Sequence, residues 1–499
     1  CRERGNALYI TQPSSYSALR GDATLANGVV AKLQLNSLIL PEYFGVVGDG
    51  ITDDTVNFKS GVIRVFLDGG GTITASHGKT YLLDSFSINP KVNIKGPYVY
   101  CDPINGTQLN DASAIRLKEG ATLTFLEASS LTGFVILKEG MTFPQEAAQV
   151  AAWTDTALFV GPQAHGVYFS NLNIVGFNTA IDTDASSNTA QIRCSDINFD
   201  CTNGIKLSNI LDIASIINCH GWPAGSWGAT DFTPIRSGTA YQMEVAGAWN
   251  KLDKSFSYGY LRGAVINNCS SVKITGCGFD NTQSNVGSVG LLIEGTSDRT
   301  VVTDTQTASN SDGMVVNVTA GKLVTFSDCS QWSNLDTSVK ILSGNAIISS
   351  NASKNSSVGI SVALGGSIVN VVGGSFLDSH ATCGIDNTVS GDFIFVSPET
   401  AYINTPTKII GGSIESTYRF NIGEGLKTVG VAIISALIDF DIPVSGRYEP
   451  VSIGNIVGTF KLVDTTTNTD FATGLIPALS TTTTEKNLVL RFAVTGATA

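Results

Sequence analysis

Short apolar-x-apolar triplets, each followed by a small polar residue, recur along most of the chain: VYF at Val167, IRC at Ile192, LDI at Leu211, VKI at Val272, VVT at Val301, VTF at Val324, AII at Ala346, VNV at Val369 and FIF at Phe393. Alternation of this kind marks a strand with one buried face, and a spacing of roughly 22 to 25 residues between most starts means stacked units sharing one core. A second strand follows at a similar offset in AID at Ala180, GIK at Gly204, GLLIE at Gly290, GMVVN at Gly313, SVKI at Ser338, GISV at Gly359 and GID at Gly384. The interval from Leu211 to Val272 is too long for one unit. It resolves if AYQMEV at Ala240 closes one coil, the segment from Leu252 to Tyr258 opens another, and GAVIN at Gly263 completes it. An insertion near 219–239 is left over. Asn171, Asp196, Ser215, Gly276, Thr305, Asp328 and Ser350, just beyond the triplets, are expected to line one turn as a ladder.

The stretch VGDGITDDTVNFKSGVI from Val47 to Ile63 reads as the start of this array. Gly48 and Gly50 permit a tight turn, and the oxygens of Thr52, Asp53 and Asp54 suit the unpaired N–H groups of a helix start. Phe58, Val62 and Val65 or Phe66 give the helix one apolar face. Gly69, Gly70 and Gly71 end it before strands at Thr72 to Thr74 and Tyr81 to Leu83. Over about forty residues this order resembles the start of pectate-lyase-like right-handed parallel β-helices, bacteriophage tailspikes among them, in which such a helix closes the open end of the first coil. The departure is ASHGK at Ala75 to Lys79, where relatives often carry a Pro-x-Gly turn.

Before the helix, strands are expected at Ala7 to Thr11 and Val29 to Leu35. After Ser413 the period weakens, and ISALIDF, SIGNIVGTFKLV and NLVLRFAV suggest a different β module. The expected organisation is a neck at 1–40, a capping helix and first coil at 41–90, a β-helix over 91–424 with its insertion, and a C-terminal module at 425–499. The register over 91–165 is not legible. The resemblance implies that the C-terminal module joins three chains, giving an all-β homotrimer attached to a phage tail through its N-terminal side.

The composition of the 499 residues narrows the partners. Gly is abundant (52), charge is sparse (14%) and the net charge is −12. That balance argues against nucleic acid and anionic membranes, and no apolar run reaches the ~18 residues of a membrane span. The nine cysteines show no zinc-ligand spacing, so no metal or cofactor is expected. Cys194, Cys277 and Cys329 fall within apolar strand patterns and read as reduced core thiols, consistent with assembly in a cytoplasm.

The window from His220 to Arg262 is rich in side chains suited to sugars. It holds three of the five tryptophans, Trp222, Trp227 and Trp249, together with His220, Asp231, Lys251, Tyr258, Tyr260 and Arg262. Aromatic faces match the C–H faces of sugar rings, and carboxylates and amides match their hydroxyls. Glycosidic hydrolysis needs an acid and a second carboxylate. If Asp182, Lys206, Glu244, Asn267, Glu294 and Asn317 close the second strand on successive coils, Glu244 and Glu294 stand about 9 to 10 Å apart, near the upper end of the inverting range. Asp280, in GFDN, shares a position with Asp200 and reaches the same groove. Glu244, Asp280 and Glu294 are therefore the catalytic candidates.

A lyase would draw its base and cation from His220, Lys251, Tyr258, Tyr260 and Arg262. The polygalacturonase set of Asn-Thr-Asp, Asp-Asp, Gly-His-Gly and Arg-Ile-Lys is absent as a set. The resemblance implies a virion protein that depolymerises a bacterial surface polysaccharide, capsule or O-antigen. The alternatives are a lyase and a non-catalytic adhesin of the same fold.

Overall fold

A glycine turn, two carboxylates and one apolar helix face close the first coil. Gly48 and Gly50 adopt φ of 64° and 75°, which only glycine does freely. Asp53 Oδ1 accepts from the Thr55 N–H at the helix start (3.0 Å). Asp54 turns back instead, accepting from the N–H groups of Val47 (2.7 Å) and Gly48 (2.9 Å) and so fixing the glycine turn rather than capping the helix. Helix α1 (Thr55–Leu67) buries Phe58, Val62 and Val65, while Phe66 is 39% exposed. The Phe58 ring meets Tyr81 edge-on at 5.4 Å and Phe86 at 6.1 Å. Each such buried side chain contributes about 1.5–3 kcal/mol.

The computed structural model describes residues 9–97 and 114–387, apart from 13–16, 20, 27, 36–37, 184–185, 187, 363–366 and 373–374; beyond 387 it describes strand segments alone. The chain forms two units, residues 1–292 and 293–499. The right-handed parallel β-helix that the resemblance implied is the fold.

In the first unit, strand Val30–Leu33 pairs antiparallel with Tyr9–Thr11 and Ala23–Thr24. Arg64 of α1 binds this small sheet through a buried ion pair to Asp22 (2.9 Å) and a hydrogen bond to the Leu33 carbonyl (3.1 Å). The coils follow. One parallel sheet stacks Phe86–Ile88, Leu123–Phe125, Thr156–Val160, Thr179–Thr183, Asn203–Ser208, Arg236–Glu244 and Tyr260–Asn267. A second carries Ser130–Lys138, Tyr168–Val175 and Arg193–Asp200, and then pairs of short strands: Ser215–Ile217 with His220–Gly221, Lys251–Asp253 with Phe256–Tyr258, and Lys273–Thr275 with Gly278–Asp280.

One left-handed residue per coil bends this second sheet: Gly133, Asn171, Asp196, Asn218, Lys254 and Gly276, all with φ between 48° and 78°. Short polar side chains and glycine tolerate that conformation. Ser215 is not a member of this ladder, because LDI belongs to a separate strand, Ile210–Asp212, paired with Thr189–Ala190. The strand that joins the stack at this coil is Ser215–Ile217.

In the second unit, Asp328 and Ser350 take the same left-handed corner, and Asp304 replaces the expected Thr305. Strands Asp312–Val318, Thr337–Ser343, Val358–Val362 and Cys383–Asp386 stack in parallel. Its interior holds paired polar groups, Gln331 with Asn351 (2.8 Å) and His380 between Ser353 and Ser356 (3.0 Å each). The pairing becomes antiparallel toward the C-terminus, where Leu437–Phe440, Leu488–Ala497, Ile456–Asp464 and Thr469–Leu475 form one sheet. Cys194, Cys277 and Cys329 are buried free thiols, which fits a packing role.

Candidate functional site

The insertion is pinned to the coils by a buried ion pair. Asp200 and Arg236 meet through two charge-assisted hydrogen bonds, Nε–Oδ1 at 2.7 Å and Nη2–Oδ2 at 3.0 Å. Arg236 also donates to Ser226 Oγ (2.9 Å) and to the Thr233 carbonyl (2.9 Å), and its guanidinium lies over the Trp153 ring at 5.2 Å. The Gly225 N–H donates to Asp200 Oδ2 (2.7 Å). Asp200 is thus fully committed to holding residues 222–235 and does not line a groove. On the outer side, helix α2 (Ala147–Ala151) receives the insertion: Asp231 Oδ1 accepts from the Ala147 N–H (2.7 Å), and Glu146 accepts from the Asp231 N–H (3.1 Å).

Register assembles the aromatic side chains. Asn198, His220, Phe256 and Gly278 occupy one position on successive coils. The next outward position carries Asp200, Trp222, Tyr258 and Asp280, with Tyr258 directly opposite Asp280. Rings therefore stack along the face: His220 to Phe256 at 4.9 Å, His220 to Trp222 at 5.9 Å, and Trp222 to Tyr258 at 5.2 Å with 31° between planes. The insertion extends the wall, with Trp227 6.1 Å from Trp222 and Phe232 edge-on to Trp227 at 5.3 Å. Trp227 is 45% exposed, so the wall opens to solvent. Gly278 makes room for it, since a Cβ there would meet the Phe256 ring at 2.8 Å.

Polar atoms embedded in this wall lack partners. Asp280 Oδ1, Trp222 Nε1 and His220 Nε2 are buried without a hydrogen bond. Leaving such groups unpaired is costly, and a ligand rich in hydroxyls would pair them. Burial pushes the Asp280 carboxyl up to about 6 and holds His220 below its ordinary value, as a neutral imidazole at neutral pH. A hydrogen bond with Glu146, aided by the Ala147 N–H, lowers Asp231, which stays ionised. The carboxyl of the wall is thus biased toward the acid, and that of the insertion toward the carboxylate.

Of the residues singled out in the sequence, the structure brings His220, Trp222, Trp227, Tyr258 and Asp280 into this one region, while Asp231 lies on the insertion against helix α2. Tyr260 is not there: it points into the core, fully buried, and donates to the Cys201 carbonyl (3.1 Å). Arg262 lies on the other sheet, where it donates to the Gly287 carbonyl (2.7 Å) and holds a loop. Glu244 also lies on that sheet, accepting from Gln242 (3.2 Å). Its coil neighbours are Ser208 and Asn267, while Lys206 faces Gln242, so the inferred column slips by two residues at that coil. Glu294 belongs to strand Val289–Gly295 and the second unit. Trp249 is 74% exposed at a left-handed corner, and Lys251 stands two residues beyond it. Sequence reasoning missed Phe256, Gly278 and the Asp200–Arg236 clamp. Phe256 was accessible through its two-residue spacing from Tyr258, whereas the clamp had no local signal.

No protein-family model matches the chain, and no curated protein does. Solved structures do. A tailspike protein mutant of E. coli bacteriophage HK620, in complex with pentasaccharide, is 10% identical with a TM-score of 0.51 over 93% of this chain and 95% of that one. The enzymatically active domain of bacteriophage CBA120 tailspike protein 2 is 12% identical, TM-score 0.46, over 89% of this chain and 64% of that one. PfbA, a surface adhesin of Streptococcus pneumoniae, is 11% identical, TM-score 0.46, over 74% and 93%. The chain has the parallel β-helix fold that phage tailspikes use.

Proposed function

We propose that this chain is a phage tailspike that binds and depolymerises a bacterial surface polysaccharide, capsule or O-antigen, by endo-glycosidic hydrolysis. The observation that carries the reading is the Asp280 carboxyl, raised to about 6 by burial beside an open wall of Trp222, Tyr258 and Trp227. The rings take the apolar faces of the sugars. Asp280 protonates the leaving glycosidic oxygen, and an ionised carboxylate activates water. Asp231, held ionised on the insertion, is the carboxylate proposed for that role. The HK620 tailspike's pentasaccharide supports a polymer ligand for this fold. Three chains assemble through the C-terminal module, and the N-terminal side joins the phage tail.

Incubation with a panel of purified capsular and O-antigen polysaccharides, followed by mass spectrometry, tests the reading: oligosaccharides heavier by one water are expected. His220 favours one other chemistry, since a neutral imidazole with an unpaired Nε2 suits a base in β-elimination. Unsaturated products would establish that route, and binding without any product would leave a non-catalytic adhesin.

A further inference from the structure

On the second sheet of the first unit, the strand position before the bend carries Tyr168, Arg193, Ser215, Lys251 and Lys273 on successive coils. Coils rise ~4.8 Å, so the three cations lie along about 15 Å of surface. In a chain of net charge −12, such a column is a local reversal of sign. Among the described residues, the ion pairs of this unit are made by other cations, Lys32, Arg64, Lys118, Lys138 and Arg236, while Arg193 and Lys273 are exposed and Lys251 is half-buried. The carboxylate closest in register is Asp253, one outward position further on, between Ile217 and Thr275.

Two further features adjoin the column. A cavity of about 480 Å³ is lined by Gly166, Tyr168, Gln191, Arg193, Ser195 and Ile217. Tyr168 is 41% exposed, and its hydroxyl lies 3.0 Å from Ser195 Oγ. Two residues before the column, Gln191, Ile213, Trp249 and Ser271 form a left-handed corner with φ of 55° to 65°. A bulky aromatic is uncommon in that conformation, and here it holds the Trp249 ring out in water rather than in the core.

We propose that this face is a subsite for an acidic sugar: Arg193, Lys251 and Lys273 bind carboxylates on the polymer, with Trp249 and Tyr168 as platforms for its rings. Planar guanidinium and ammonium groups recognise carboxylates by charge-assisted hydrogen bonds, and an adjacent aromatic face supplies the apolar contact that a sugar ring requires. The inference rests on the polysaccharide reading and adds to it that the repeat unit is anionic. The subsite lies across the bend from Asp280 and holds the chain rather than cutting it.

The test is binding of the full-length protein to purified bacterial surface polysaccharides of known charge, each acidic one also in carboxyl-reduced form, with duplex DNA as a polyanion lacking sugar carboxylates. The triple variant Arg193→Gln, Lys251→Gln, Lys273→Gln is measured beside the unaltered chain. Unchanged melting is its control for folding. The expected result is binding to an acidic polymer that weakens at least tenfold on carboxyl reduction and at least tenfold in the triple variant. Tight binding to a neutral polymer, indifference to the triple substitution, or equal binding of DNA would overturn the subsite and leave the polysaccharide reading standing. Failure to bind or cut any polymer would overturn both.

Discussion

Asp280 sits where two requirements of an acid catalyst coincide, a raised proton affinity and an aromatic surface for the substrate beside it. In the proposed mechanism its protonated form is the competent one, so cleavage is expected to fall as pH rises through about 6. Asp280→Asn should lower kcat by about 10²- to 10⁴-fold while leaving polymer binding intact. The same shift has a consequence for stability. A carboxyl raised in the folded state stabilises fully below its unfolded value of about 4, and that contribution is lost as pH climbs through about 6. Asp280→Asn should therefore melt above the unaltered chain at pH 8, with the advantage vanishing below about pH 4. Equal melting at both pH values would mean that Asp280 is not desolvated. Trp222→Ala removes the central ring of the wall, and its expected cost of about 1.5–3 kcal/mol in binding corresponds to roughly ten- to a hundredfold in KM.

The insertion, with the coil it leaves, is the element that builds the site, and it depends on one ion pair. Arg236→Met would leave Asp200 buried without its partner, at a cost of about 3–5 kcal/mol measurable by chemical denaturation. The double change Asp200→Leu with Arg236→Met should recover much of that loss, because it buries no orphan charge. Regular coils were legible in the sequence because each contributes an alternating triplet and a second strand at fixed offset. The segment from Leu252 to Tyr258 and the closing strand from Ala240 were readable in that way, although that strand begins at Arg236, within the expected insertion, and helix α1 was readable from its glycine turn and helical spacing. Where local pattern was ambiguous it misled. LDI alternates like a core strand, but the strand in the stack begins at Ser215, and that slip misplaced one rung of the bend. Tyr260 failed for a related reason, since in a strand one residue of displacement exchanges solvent for core, and Arg262 failed because its strand belongs to the other sheet. The clamp of Asp200 with Arg236 was not legible, because the two lie 36 positions apart, a separation that no local pattern encodes.

At the scale of the whole molecule, stacking explains how the described coils of each unit fold without a proportionately large globular core, since each coil rests only on its neighbours. Toward the C-terminus the described strands turn to antiparallel pairing, within the stretch where a separate module is expected. If it joins three chains, sedimentation should give a trimer, and deletion of residues 425–499 should give monomers; a monomeric full-length chain would contradict that role. Which polymer is bound was not legible in the sequence, because that identity depends on side chains brought together from several coils. The most direct measurement of the central claim compares the unaltered chain with Asp280→Asn on the panel of surface polysaccharides, reading products by mass spectrometry. Hydrolytic oligosaccharides from one polymer, abolished by Asp280→Asn although the polymer still binds, are the predicted result. Hydrolysis that persists undiminished in Asp280→Asn would contradict it.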